Sequence, residues 1–443
     1  MTNGVPSPTA RRVSLGPVLM VNFIGTLGFS IVLPFLVFLV TRFGGNALVY
    51  GLVGATYPAF QFIGAPILGR WSDRYGRKRI LLLSQAGTLL SWIIFSAALF
   101  LPMTVLWTVR SSILGEFTVT LPLLVIVIAR ALDGLTGGNI SVANAYVADV
   151  STDEDRNRNF GRMGVASNLG MILGPAAASV LGATAWGEIL PVFGAAIISL
   201  VATIVIATSL PESNPCGFQH SLNRRAGAAL GQEPRNCLAA GRSSDQGVRT
   251  ALAQPNILYI LVLYFVILLS FNFYYAAFPM HAATNLRWTV VETGIFFAVL
   301  SLLMVVVQGP LLSRLSRHVS EARLVLFGCL MLGTNFLFMQ SSRVDLIYVG
   351  AAFFALGNGL MWPSLVALVA KVAGSRFQGI TQGLAGSAGS LAGIGGLVAG
   401  GFAFGFIGSA TFLVSALLAY VSFGLSFRLL RLAPARPSDQ RKA

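Results

Sequence analysis

Gly69-Arg70-Trp71-Ser72-Asp73-Arg74-Tyr75-Gly76-Arg77-Lys78-Arg79 is the stretch whose reading decides the fold. It holds five cations and one anion in eleven residues, with an apolar run of about twenty residues on either side. A run of that length crosses the hydrocarbon core of a bilayer as a helix. Two such runs joined by a basic turn predict a helical hairpin, and the excess of Lys and Arg places the turn on the cytoplasmic side. Gly69 and Gly76 suit a sharp reversal, and Asp73, a lone acid among cations, is set for an ion pair. Any basic loop can fix topology, but the ordered spacing of Gly69, Asp73, Gly76 and the three trailing cations specifies more than topology requires.

The composition around this stretch agrees. Of 443 residues 55% are hydrophobic and only 10% are charged, and the mean hydropathy is +0.77. Soluble domains carry roughly a quarter charged residues, so this is a membrane composition. The net charge of +15 stands in short clusters between apolar runs, which suits anionic lipid at the cytoplasmic face and gives no basic surface for nucleic acid. Cys216, Cys237 and Cys329 form neither a disulfide framework nor a metal spacing. With no phosphate-binding loop and no sizeable soluble domain, no enzyme, metal or cofactor is expected. The run from Gly16 to Val40 is too long for a signal core and reads as a first spanning helix.

Apolar windows predict an all-α membrane protein with twelve transmembrane helices. They lie near 16–40, 50–69, 80–101, 120–147, 160–184 and 188–210, then near 255–281, 290–312, 324–341, 345–370, 379–404 and 407–428. This divides the chain into an N-terminal six-helix bundle (1–210), a cytoplasmic linker (211–253) and a C-terminal bundle with a basic tail (254–443). The cations test the division. With both termini cytoplasmic, only Arg42, Arg110, Arg287 and Arg343 of the 30 Lys and Arg fall outside, and Arg130 falls within a span. The halves also repeat: Gly309, Ser313, Arg314 and Arg317 stand where Gly69, Asp73, Arg74 and Arg77 stood. Two parallel six-span repeats place a substrate site between the halves, as in secondary transporters.

The first loop resembles the signature loop of the major facilitator superfamily, glycine-x-x-x-aspartate-arginine-x-glycine-arginine-lysine, and matches it at Gly69, Asp73, Arg74, Gly76, Arg77 and Lys78. Ala129-Arg130-Ala131-Leu132-Asp133-Gly134-Leu135-Thr136-Gly137-Gly138-Asn139, continued by Ala145-Tyr146-Val147-Ala148-Asp149, is similar to the fourth-helix motif of its tetracycline-resistance-like branch. Gly170-Met171-Ile172-Leu173-Gly174-Pro175 resembles the antiporter motif of drug–proton exporters. The resemblance implies a two-bundle transporter of the inner (plasma) membrane, monomeric, exchanging a small organic molecule for protons by alternating access. The chain departs from the pattern at Asn22, where exporters of this branch often carry an acid, and at Ala178-Ser179, where a glycine pair is expected. Asn22 keeps open a metabolite importer or uniporter (for a sugar, siderophore or organic acid), and a membrane sensor that binds without transport is the reading from another class.

Several residues are candidates for the chemistry. In the fourth span Arg130 and Asp133 lie about 12 and 16 Å deep, counting 1.5 Å per residue from Pro122. They share a face with Gly137, Ser141 and Asn144. Charges at that depth must face the protein interior or a wet cavity. A fixed i, i+3 pair holding helices together is one reading. The other makes Asp133 the proton-coupling carboxylate, with burial and Arg130 pulling its proton affinity in opposite senses. Asn22, Tyr57, Gln61, Asn144, Asn272, Tyr275, Gln308 and Asn358 are the substrate-cavity candidates, each with helix–helix hydrogen bonding as the plainer role. Gly69, Asp73, Arg74, Gly76, Arg77 and Asp149 form an expected cytoplasmic gate. Gly170, Gly174 and Pro175 are read as packing and bending positions.

Overall fold

The computed structural model describes residues 15–32, 35–137, 139–151, 153–213 and 249–432, with 29, 139–140, 153–154, 156–158, 374–379 and 432 described through their backbone alone. The expected linker lies outside the described residues from 214 to 248, as do Arg11, Arg12 and the end of the basic tail. The first half runs α1 (Gly16–Ser30), α2 (Leu36–Arg42), α3 (Ala47–Tyr75), α4 (Arg77–Ala98), β1 (Val105–Ser111), β2 (Gly115–Thr120), α5 (Leu121–Thr136), α6 (Asn139–Val150), α7 (Asp153–Gly182) and α8 (Ile189–Ser209). The second half runs α9 (Ile257–Thr284), α10 (Val290–Val306), a π-helical turn (Val307–Leu311), α11 (Leu312–His318), α12 (Glu321–Met339), α13 (Val344–Ile407), a 3₁₀ turn (Gly408–Ala410) and α14 (Thr411–Leu432). Among the described residues, ten helical stretches are long and apolar enough to cross a membrane. The chain is a multi-pass membrane protein.

The basic stretch differs in form from the expected loop. Helix α3 continues through Gly69 and Asp73 to Tyr75, and α4 begins at Arg77, so the reversal falls on Gly76 alone. Its φ of +103° belongs to the region that favours glycine. The first span is interrupted between Ser30 and Leu36, and the fourth between Thr136 and Asn139, where Gly137 leaves the helix. The 104–119 loop forms an antiparallel hairpin that docks on the α2–α3 turn through its second strand and its tip: Thr118 N–H donates to the Gly44 carbonyl at 2.8 Å and Asn46 Nδ2 to the Leu114 carbonyl at 3.0 Å.

Helix α13 is helical from Val344 to Ile407, across the gap the apolar windows place near 371–378. Its two limbs run in opposite directions along α9. Trp362 packs on Tyr264 and Phe354 on Phe271, with ring centroids 5.6 and 5.2 Å apart, so the first limb is antiparallel. Gly389 faces Tyr264 and Leu268, Gly396 faces Leu269 and Asn272, and Gly400 faces Phe273 and Ala276, so the second limb is parallel. The chain therefore turns back between Trp362 and Gly389.

The halves meet where α3 crosses the second limb of α13 and where α7 crosses α10. A Cβ at Gly401 would sit 2.5 Å from the Ala47 carbonyl, and one at Gly393 would sit 3.3 Å from Pro58. Ser179 Oγ donates to the Gly294 carbonyl, and Tyr50 Oη donates to the Tyr275 carbonyl at 3.3 Å. All of these contacts lie far from the basic turn. Eighteen residues are five helical turns, so Gly69 lies on the same face as Gly51, Gly161 on that of Ser179 and Gly383 on that of Gly401, each about 27 Å away. A Cβ at Gly69, Gly161 or Gly383 would meet nothing within 4 Å. Among the described residues, the faces that touch at one end meet nothing at the basic end.

Candidate functional site

Helix α5 starts with Thr120 extended and Pro122 in its first turn, where the missing N–H costs nothing. Two turns further on it buries Arg130 and Asp133, 3% and 5% exposed, with Nη1 and Oδ2 3.4 Å apart. The Tyr57 ring lies beneath the guanidinium, 4.9 Å from its carbon, and supplies a cation–π contact. Gln61 Nε2 donates to Tyr57 Oη at 3.1 Å and to the Gly137 carbonyl at 3.0 Å. Thr88 and Ser91 of α4 lie near the Asp133 carboxylate, and Ser91 Oγ donates to the Thr88 carbonyl at 2.7 Å. Glycines permit this assembly, because Gly64 lies on the Leu135 backbone and a Cβ at Gly134 would sit 2.9 Å from Phe60. Close approach of α3 and α5 lets Tyr57 and Gln61 reach across.

Tyr57, Gln61, Thr88 and Asp133 line a cavity of about 170 Å³ among helices of all six predicted first-half spans; its wall is mostly apolar, with Thr26, Gln85 and Ser199 as its further polar groups. Pockets for drug-sized ligands measure roughly 300–1,000 Å³, so this space suits a few water-sized groups. Gln85, Thr88 and Ser199 were not singled out in the sequence. The signal that marks Gln61, an amide at lipid depth that must find a partner, applies equally to Gln85.

The other candidates take different positions. Asn22 bridges α1 to α7 through Nδ2, which donates to the Met163 carbonyl at 3.0 Å and to Ser167 Oγ at 2.6 Å. The same crossing continues at Gly170, where a Cβ would lie 2.6 Å from the Phe23 carbonyl, and at Gly174, which packs on Ser30. Helix α7 passes through Pro175 without a break. Asn144 is half-buried and Ser141 exposed on α6, beyond Gly137. Asn272 lies against Gly396, with Nδ2 donating to the Leu268 carbonyl at 2.7 Å. Tyr275 packs on Phe271, with centroids 5.1 Å apart. Gln308 sits in the π-helical turn beside Gly359, and Asn358 is half-buried on α13.

At the basic end Arg77 is the hub. Its Nη1 lies 2.6 Å from Asp73 Oδ1 and its Nε 2.8 Å from Asp149 Oδ2, and Nη1 also donates to Ser72 Oγ at 2.6 Å. Glu212, just past α8, accepts from the backbone N–H groups of Arg77 and Lys78 at 2.7 and 3.1 Å and so caps α4. A carboxylate there answers both the orphan donors and the positive helix end. Arg74 stacks over Tyr75 at 5.3 Å. In the second half Lys371 pairs with Glu321, so the charges on the corresponding helix ends are reversed. Among the described residues, no group of three or more His, Cys, Asp or Glu side chains is placed to hold a metal ion.

Comparison with known proteins agrees with this architecture. The sequence model described as Major Facilitator Superfamily matches residues 18–340 and 260–443. The chain is 28% identical over 370 residues to the class E tetracycline resistance protein of Escherichia coli, covering 83% of this chain and 82% of that one. It is 24% identical over 409 residues to multidrug resistance protein 2 of Bacillus subtilis, covering 91% and 92%. Among solved structures, the human organic anion transporter MFSD10 (TETRAN) superposes with a TM-score of 0.62 at 21% identity, over 95% of this chain and all of that one. The xylose transporter XylE of E. coli gives 0.69 at 14% identity, over 95% and 98%, which speaks to the fold alone. The chain belongs to the major facilitator superfamily of membrane transporters.

Proposed function

We propose that this protein exports small organic, drug-like molecules in exchange for protons, by alternating access between two six-helix halves that together cross the plasma membrane twelve times. The reversal within α13 and the split of its limbs along α9 support the count. Both termini and the basic turn are cytoplasmic in this reading, the molecule works as a monomer, and the state described is open to the cytoplasm. The substrate passes between the halves, past Asn272 and Tyr275, while the proton is carried by Asp133.

The single observation that carries the reading is the buried Arg130–Asp133 pair, whose carboxylate lies on the wall of a cavity. A purely structural pair gains little from abutting a cavity, whereas a carboxylate that must take and release a proton needs one. The tetracycline and multidrug resistance relatives supply the substrate class. The test is tetracycline flux into proteoliposomes driven by an imposed pH gradient. Wild type is expected to accumulate tetracycline and to lose accumulation with an uncoupler, and Asp133→Asn to lose the pH-driven component. Equal gradient-driven flux in Asp133→Asn and wild type would sink the role of Asp133.

A further inference from the structure

Gln85 is a cavity-lining side chain whose chemistry the transport reading leaves unused. It is 1% exposed, and its Nε2 donates to Ser199 Oγ at 2.8 Å. Its Oε1 faces no protein donor. Thr88 and Trp92 follow at i+3 and i+7, on the same stripe of α4, and line the cavity with Asp133. A cavity of about 170 Å³ has room for about five waters at roughly 30 Å³ each, and waters settle where several polar groups converge.

We propose that this cavity is a hydrated proton chamber for Asp133, with Gln85 as the residue that positions its water chain. The inference rests on the proton-coupled reading above. In the loading step, a hydronium in the chamber gives its proton to an Asp133 carboxylate oxygen. One O–H bond forms on the carboxylate as another breaks, leaving water and a neutral acid, and release is the reverse. The charged and titratable groups near the chamber are Asp133, Arg130 and Tyr57, while α1, α4, α7 and α8 present no charge to it. A dehydrated metal cation is disfavoured because the Arg130 guanidinium already stands 3.4 Å from Asp133.

Hydroxyl-radical labelling of the purified full-length protein tests the water directly, since radicals formed from bound water oxidise adjacent side chains. Trp92, 3% exposed, lines the chamber, and Trp288, 8% exposed beside Phe278 and Phe296 in the α9–α10 connection, is the reference outside it. Trp92 is expected to be oxidised several-fold faster than Trp288, and Gln85→Leu or Thr88→Val to remove the difference. Equal slow labelling of the two in wild type overturns the proposal. Protection of Trp92 by sodium relative to choline at equal ionic strength overturns it in favour of a cation site. In proteoliposomes Gln85→Leu is expected to slow pH-driven tetracycline flux about tenfold or more, as for a disabled proton transfer, while tetracycline–tetracycline exchange is unchanged. Equal loss of both fluxes assigns Gln85 a structural role and overturns its positioning role. A wild type without pH-driven flux defeats the proton-coupled reading itself, and the labelling contrast still decides whether the chamber is wet.

Discussion

Gly51 and Gly69 lie on one face of α3, five turns apart, and their surroundings could hardly differ more. Gly51 packs against the backbone of Leu397 and Gly401 on α13, while Gly69 has open space before it. The antiparallel pairing of Gly51 with Gly401 and of Pro58 with Gly393, continued along both helices, brings Gly69 opposite Gly383. Two rigid halves that rock about a pivot between these two pairs would bring the second pair together only by parting the first. Glycine at both ends is thus consistent with a face that packs in one state at one end and in the other state at the other.

The largest effect is expected where the face is already packed. Gly51→Val drives a side chain into the backbone of α13 and is expected to cost this state about 3 kcal/mol, the upper range for overpacking. Disulfide trapping between cysteines placed at 52 and 402 reads the result, and the yield is expected to fall as that end opens. Unchanged yield would mean the contact is looser than the structure shows.

At the open end, stability comes from within the first half. Arg77→Ala removes a hub shared by Asp73, Asp149 and Ser72, and is expected to cost about 2 kcal/mol, as for hydrogen bonds to charged groups. Thermal unfolding checks it. The second-half counterpart gives a contrast: Lys371 and Glu321 pair at more exposed positions than Arg77. Glu321→Gln is expected to change stability by no more than about 0.5 kcal/mol.

Gly69→Val sharpens the comparison most, although its effect on stability is the smallest. A valine there meets open space in a helix that loses a glycine, so the stability of this state should move by less than about 0.5 kcal/mol. Transport should nevertheless fail, because closing the basic end requires that face. A Gly69→Val protein with normal tetracycline flux would show that the face never packs.

The apolar windows were legible because a bilayer leaves a spanning backbone few choices. Gly76 was legible as a turn residue, but Gly69 was not legible as helical, since glycine fits either state and only the packing of α3 decides. The hairpin at 105–120 carries a readable alternation, with Trp107, Val109, Phe117 and Val119 on one face and Thr108, Arg110, Glu116 and Thr118 on the other. It is short, and it is held by Gly44 and Asn46, partners about seventy residues away that no local pattern announces. Arg130 and Asp133 stood out because charge at membrane depth is costly. Gln85 and Ser199 are ordinary polar residues until α4 and α8 bring them together.

The most direct test of alternating access is a pair of spin-label distances taken under the same conditions, between positions 71 and 382 at the basic end and between 52 and 402 at the opposite end, as pH is varied and tetracycline added. The account predicts that populations in which 71–382 shortens are matched by populations in which 52–402 lengthens. Ends that open or close together, or that keep one distance under every condition, would contradict it.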